Sequence, residues 1–245
     1  MYIYNPIEDC YATKKKIEFF RDEIKKIRNK KKKISILDFG CGNANDCGKF
    51  LLNNKDEYLG FDIHSSSIKF ATQNFKSKNI SFSTILPKKK FDVIIISEVL
   101  EHLENPASIL IHLKKQLNKD GFILGSIPNG YGLTEIEKFL IHRLYIYKFA
   151  KWLYSFFKKR NMTKSIPFNY ESGHIQHFTL SSFKRILAVA NLKLEFLLNG
   201  TLMGADISGS TILKSNFMKN LNTRLADLIP SIFSATWIFK LNKND

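Results

Sequence analysis

The sequence predicts a doubly wound α/β fold, a mostly parallel sheet with helices on both faces. Three observations predict it. Short β-branched runs alternate with segments of helical apolar spacing from about Ile17 to Ile127. A glycine-bearing turn, Gly40-Cys41-Gly42, directly follows the first of those runs, and an acid, Asp62, closes the second. Alternation of this kind argues parallel strands joined by crossover helices, with ligands met at the carboxyl ends of the strands.

The elements follow in order. Ile17 to Ile27 carries apolar residues at helical spacing (Ile17, Phe20, Ile24, Ile27) and opens the chain as a helix. Ile34 to Phe39 is a strand, and a helix is expected from about Asn45 to Leu52. Strand Tyr58 to Phe61 leads to helix Ser66 to Phe75, then to strand Ile80 to Ser83. Strand Phe91 to Ile96 precedes a helix from Pro106 to Leu117, where proline suits the first turn. Asn118-Lys119-Asp120-Gly121 reads as a turn into strand Phe122 to Ile127. Beyond Gly130 the rhythm breaks: Ile136 to Phe157 is expected to be helical and is rich in aromatic residues, and Asn161 to Gln176 is a loop. A helix opened by Thr179 or Ser181 runs to Ala190, and a further helix lies between Phe217 and Ile229. Leu192 to Leu198 and Ala235 to Leu241 are two closing strands.

Composition narrows the class. The 245 residues are 44% hydrophobic, which fits one large domain with a core and excludes a disordered chain. Lys and Arg number 38 against 22 Asp and Glu, a formal charge of +16. Such a balance can attract nucleic acid, anionic lipid or phosphorylated molecules. The lysines nonetheless lie in scattered runs, as a general bias toward Lys, Asn, Ile and Phe would leave them. Cys10, Cys41 and Cys47 are too few and too irregular for a disulfide framework or a zinc site, which suits a reducing, cytoplasmic setting. Met1 to Lys16 lacks the apolar core of a signal peptide, and no apolar run approaches the roughly 20 residues of a membrane span.

The turn after the first strand reads Asp38-Phe39-Gly40-Cys41-Gly42. Glycines there allow close backbone approach, and Asp62 is placed to accept from ribose hydroxyls. The dinucleotide fingerprint Gly-x-Gly-x-x-Gly is absent. A carboxylate beside the turn would repel a pyrophosphate and suits an ammonium or sulfonium group, which disfavours a nicotinamide-dependent reductase. Together "ILDFGCGNA", "YLGFDIHSSSIKFA", "FDVIIISEVLEHL" and "LNKDGFILGSIPN" resemble, in order and spacing, the class I S-adenosylmethionine-dependent methyltransferases. The resemblance covers roughly Ile34 to Asn129 and implies a Rossmann-like seven-stranded sheet, with a helical insertion after the fifth strand. It implies one domain over 1–245, with a cofactor core at 34–129, a substrate-side insertion at 130–178 and closing elements at 179–245. By resemblance, Asp38, Gly40, Cys41 and Gly42 surround the methionine part of S-adenosylmethionine. Asp62 holds the ribose, Ile63 packs on adenine, and Ser97 lines the pocket. Two positions depart from the family: Ala44 stands for a usual glycine, and the third strand offers only Ser83 or Thr84 where an acid commonly reads adenine.

The stretch "ISEVLEHLENP" sets Glu98, Glu101 and His102 just past a core strand. If Glu98 begins a helical turn, the three share one face. Glu-x-x-Glu-His resembles the metal-binding stretch of ubiquinone-pathway O-methyltransferases and of small-RNA 3′-terminal 2′-O-methyltransferases. "GHIQHFT" offers His174, and His177 beside it, to complete such a site. Two readings stay open. In one, Glu98, Glu101, His102 and His174 hold a divalent metal. In the other, the acids favour a helix start and His102 is a satisfied pocket or core residue. For a hydroxyl acceptor a base or a metal must help remove the proton, and His102, His174 and His177 are the catalytic candidates.

The expected activity is methyl transfer from S-adenosylmethionine to oxygen on a small molecule or glycan precursor. An RNA 2′-O-type acceptor is the second reading, and a non-catalytic nucleotide-binding protein the third. Thr134 to Arg160 is the expected acceptor-side cover, and its lysines could touch an anionic membrane peripherally.

Overall fold

The structure, a computed structural model, describes residues 13–44, 55–75, 77–132, 173–203 and 215–244. The expected helices at 45–52 and 136–157, and the acceptor-side cover at 134–160, lie outside them. In chain order the described elements are α1 (Thr13–Arg28), β1 (Ser35–Phe39), β2 (Glu57–Phe61), α2 (Ser65–Asn74), β3 (Ile80–Ser83) and β4 (Phe91–Ser97). They continue with a 3-10 turn (Leu100–His102), α3 (Pro106–Lys115), β5 (Leu117–Pro128), α4 (Leu180–Val189), β6 (Leu192–Asn199) and α5 (Asn216–Asp227). A second 3-10 turn (Ser231–Phe233) and β7 (Thr236–Lys243) complete the order.

The seven strands form one sheet in the order β3-β2-β1-β4-β5-β7-β6. β1 to β5 are parallel, and β7 runs antiparallel to both β5 and β6. The expected doubly wound fold is therefore present. Its cause is visible in β4, where Val93 and Ile95 face one layer and Ile94 and Ile96 the other, all buried. A strand covered on both faces reads as a continuous apolar run. One layer is α1, whose Phe20, Ile24 and Ile27 pack on Ile36, Val93, Ile95 and Leu124. Across the sheet, Leu110 and Leu113 of α3 and Phe183 and Leu187 of α4 meet Leu37, Ile94 and Phe239. Thr179 caps α4 with a reciprocal capping box through Ser182.

β5 departs from the sequence expectation. It begins at Leu117, which pairs with Phe91, and the register shifts before Phe122 meets Val93. Asn118 to Gly121 is thus a bulge within the strand rather than a turn before it. Asp92 holds the bulge, accepting from the Asn118 amide at 2.7 Å and from the Ser35 amide at 2.9 Å. No helix among the described residues is long and apolar enough to cross a membrane.

Candidate functional site

The parallel strands end at one edge, and the sequence-predicted site residues sit there. After β1, Gly40 and Gly42 take left-handed backbone, φ 77° and 53°. The turn is bound to the end of β2, because the Gly40 and Cys41 amides both donate to the Phe61 carbonyl, at 2.8 and 3.0 Å. A Cβ on Gly40 would lie 2.4 Å from Val99 Cγ2, so glycine is needed for packing as well as conformation. Among the described residues, nothing lies within 4 Å of where a Cβ on Gly42 would stand. Asp62 accepts from the Gly42 amide through one oxygen and from the His64 amide through the other, each at 2.8 Å. A carboxylate has about four lone-pair sites, so each oxygen keeps one for a ligand. Ile63 beside it is 78% exposed. Asp38 lies beneath the turn, buried, and accepts from the Tyr58 hydroxyl at 2.7 Å. Cys41 is buried too; desolvation, then the charges of Asp38 and Asp62, push its thiol far up, so it stays protonated.

At the tip of β4 the residues form a directed chain. Lys16 of α1, only 3% exposed, donates to Ser97 Oγ at 2.8 Å. The Ser97 and Ser126 hydroxyls are 2.8 Å apart, and Ser126 donates to Glu98 Oε1 at 2.5 Å. Glu98 does not begin a helix. Its φ is 55°, and its amide donates to the Ser126 carbonyl at 2.9 Å. The helical turn starts later, at Leu100, so Glu98, Glu101 and His102 do not share a helical face.

Glu101, His102 and His174 do come together. One donor atom from each lies within 4.8 Å of the others. Glu101 is completely buried, and among the described residues neither carboxylate oxygen has a hydrogen-bond partner. Burial, then the charge of Glu98, holds its carboxyl well above the usual range, against the weaker pull of its own backbone amide and Lys16. His102 Nδ1 meets the Gly173 carbonyl at 3.0 Å. A carbonyl only accepts, so Nδ1 carries a proton and Nε2 is the nitrogen that can serve as acceptor. That nitrogen is 3.7 Å from Glu101 Oε1, and the His174 ring stands edge-on at 5.0 Å. The Ile175 and Gln176 amides both donate to the Glu101 carbonyl, which clips the 173–178 segment to the turn. His177 is exposed, outside the cluster, with its backbone packed over Gly130.

A protein-family model described as "Methyltransferase domain" matches residues 11–196. The chain belongs to this methyltransferase family. The relatives and structural neighbours it resembles include methyltransferases, one of them a solved S-adenosylmethionine-dependent methyltransferase. The mRNA cap guanine-N(7) methyltransferase of Schizosaccharomyces pombe is 28% identical over 127 residues, covering 44% of this chain and 35% of that protein. The ubiquinone biosynthesis O-methyltransferase of Rickettsia bellii is 27% identical over 126 residues, 46% of this chain and 50% of that protein. This methyltransferase thus spans at most half the length of these two relatives. Among solved structures, an S-adenosylmethionine-dependent methyltransferase from Clostridium acetobutylicum superposes with TM-score 0.58 at 11% identity, over 94% of this chain and 92% of that one. The plantazolicin methyltransferase BpumL, solved with a triazolic desmethylPZN analog and SAH, gives 0.55 at 19% identity, over 96% and 86%. Both likenesses speak to the fold.

The residues of the methyltransferase fit the cofactor. Among the described residues nothing crowds the Cβ position of Gly42, Asp62 keeps lone pairs for hydroxyls, and an exposed Ile63 offers an apolar face to a flat ring. Sequence reading missed three contributors: Lys16, Tyr58 and Val99. Each acts across a long separation, 81 residues for Lys16 and Ser97, and no local pattern marks such a contact. A surface depression of about 380 Å³, lined by Thr72, Phe75, Lys78 and Phe82, lies at the amino end of β3, away from this edge.

Proposed function

We propose that this methyltransferase acts on a hydroxyl of a small molecule or glycan precursor, with His102 as the group that takes the acceptor's proton. The observation that carries it is the His102 ring, fixed by Gly173 so that its basic nitrogen faces Glu101 and His174 beyond the tip of β4. When bound, S-adenosylmethionine supplies an electrophilic methyl carbon on a sulfonium and leaves as S-adenosylhomocysteine. Asp62, Ile63 and the Gly40 to Gly42 turn would hold it, with Ser97 bordering it from β4. His102 Nε2 would take the proton of the acceptor hydroxyl. Beside that nitrogen, burial and then the charge of Glu98 hold the Glu101 carboxyl well above the usual range.

A metal-assisted version has its own support. The two unpartnered oxygens of Glu101, beside His102 and His174, form a carboxylate and imidazole donor set of the kind that takes a divalent cation. Those three would hold it, with Glu98 engaged by Ser126 instead. A cation there would lower the acceptor's pKa.

The test is transfer of a labelled methyl group to fractionated cell metabolites, glycans and RNA, with and without chelator. Labelling in the small-molecule or glycan fractions that His102→Ala abolishes, with S-adenosylhomocysteine affinity kept, supports the proposal. Chelator that stops transfer selects the metal version. Labelling confined to RNA, or transfer that survives both treatments, overturns the reading.

A further inference from the structure

The carboxyl edge that bears the site also carries an apolar face that the reaction does not use. α5 lies along that edge. The side chain of Asn199, the last residue of β6, donates to the Ala226 and Ile229 carbonyls at 2.7 and 2.9 Å. Leu202 and Met203, just beyond β6, bond to Asn222. One side of α5 is buried through Asn222 and Ala226. Along another side run Phe217, Leu221, Leu225 and Leu228, at successive helical spacings of four, four and three, and all exposed. Phe217 is 74% and Leu228 80% exposed. The row spans about 16 Å at 1.5 Å per residue. It continues into Ile232 and Phe233, both exposed, on the 3-10 turn that Asn129 ties to the end of β5. From there Asn129 leads through Gly130 to His177, and so to the segment clipped against Glu101.

The charges beside the row point to its occupant. Between Ser215 and Phe233 the only acid is Asp227, and Lys15 of α1 neutralises it. Lys219 and Arg224 are cationic, Lys14 is exposed next to Lys15, and the chain as a whole carries +16. An apolar row flanked by uncharged and basic residues suits a surface that is apolar within and anionic at its face. A folded protein partner would be expected to meet acids as well as bases along such a face.

We infer that α5 and the turn after it seat this methyltransferase on an anionic lipid bilayer, with the carboxyl edge of the sheet facing the membrane. The inference rests on the acceptor reading above only in giving the surface its use, since an acceptor held in the bilayer would then enter from the rim.

The test is co-sedimentation of the full chain with vesicles of phosphatidylcholine alone and of phosphatidylcholine with phosphatidylglycerol. Binding to the anionic vesicles is expected, weakened by high salt and by about tenfold or more in Leu228→Asp with Phe233→Asp. Both positions are exposed, so the variant should keep its affinity for S-adenosylhomocysteine, which calorimetry in solution checks. Failure to bind phosphatidylglycerol vesicles, or binding that the paired substitution leaves unchanged, overturns the inference. So does a concentration-dependent dimer that the same substitutions dissolve, since the face would then belong to a second copy. Vesicle binding without S-adenosylhomocysteine binding would leave the surface standing and remove the methyltransferase reading instead.

Discussion

Gly40 meets two demands at once, a left-handed backbone and a methyl group of Val99 at the place where a side chain would begin. Gly40→Ala should therefore destabilise the protein by about 1–3 kcal/mol, the usual range for overpacking and an unsuitable φ. Adding Val99→Ala should recover the steric share and leave the conformational one. Urea unfolding of both singles and the double measures the coupling; additive losses would place the cost elsewhere. Gly40, Gly42, Asp62 and Ile63 were placed at the carboxyl edge by the sequence because each lies within a few residues of a strand end. Lys16 and Tyr58 were not, since the Ser97 and Asp38 they serve lie on other strands. Glu98 shows a third case. Its spacing to Glu101 suggests a helix, yet Ser126 of β5 captures both its amide and its carboxylate and holds it in left-handed backbone.

Among elements, α1 is the one whose role reaches furthest beyond its local pattern. Its apolar spacing announces a helix on the core, but its charged side chains do much of the joining, Arg28 among them through Asp56. Lys16 enters the site, Lys15 meets Asp227, and Glu23 receives Lys240 of β7 at 2.8 Å. Lys240 is nearly buried, also reaches Glu195 at 2.8 Å and lies over the Phe122 ring. Burial alone would raise the Glu23 carboxyl, but the bonds from Lys240 and Lys26 outweigh it and hold it below the usual range. A carboxyl lowered by folding adds stability above its unfolded pKa of 4.5 and loses it as pH falls toward the folded value. Glu23→Gln should cost about 1–3 kcal/mol at neutral pH, moderated because Lys240 keeps Glu195. The gap from the unsubstituted protein should narrow when urea melts are repeated below pH 4.5. A gap that widens in acid would show that Glu23 is not held as a carboxylate.

For the molecule as a whole, the proposed cofactor cleft draws on β1, β2 and β4, so a ligand there would stabilise the common sheet rather than a single loop. S-adenosylhomocysteine at about a hundred times its Kd should add about 2.7 kcal/mol and raise Tm by roughly 5–10 °C for a domain of this size. Asp62→Ala should reduce the shift, and NAD should give none; a shift with NAD and none with S-adenosylhomocysteine would reverse the cofactor assignment. The sheet order carries a consequence in time. Among the described residues β6 bonds only to β7, and β7 fills the place between β5 and β6 although it follows both in the chain. During synthesis the outer edge of β5 therefore stays open while β6 and α5 emerge, and β6 has no strand to join until Thr236 to Lys243 leaves the ribosome. For that interval the nascent chain exposes two unpaired strand edges.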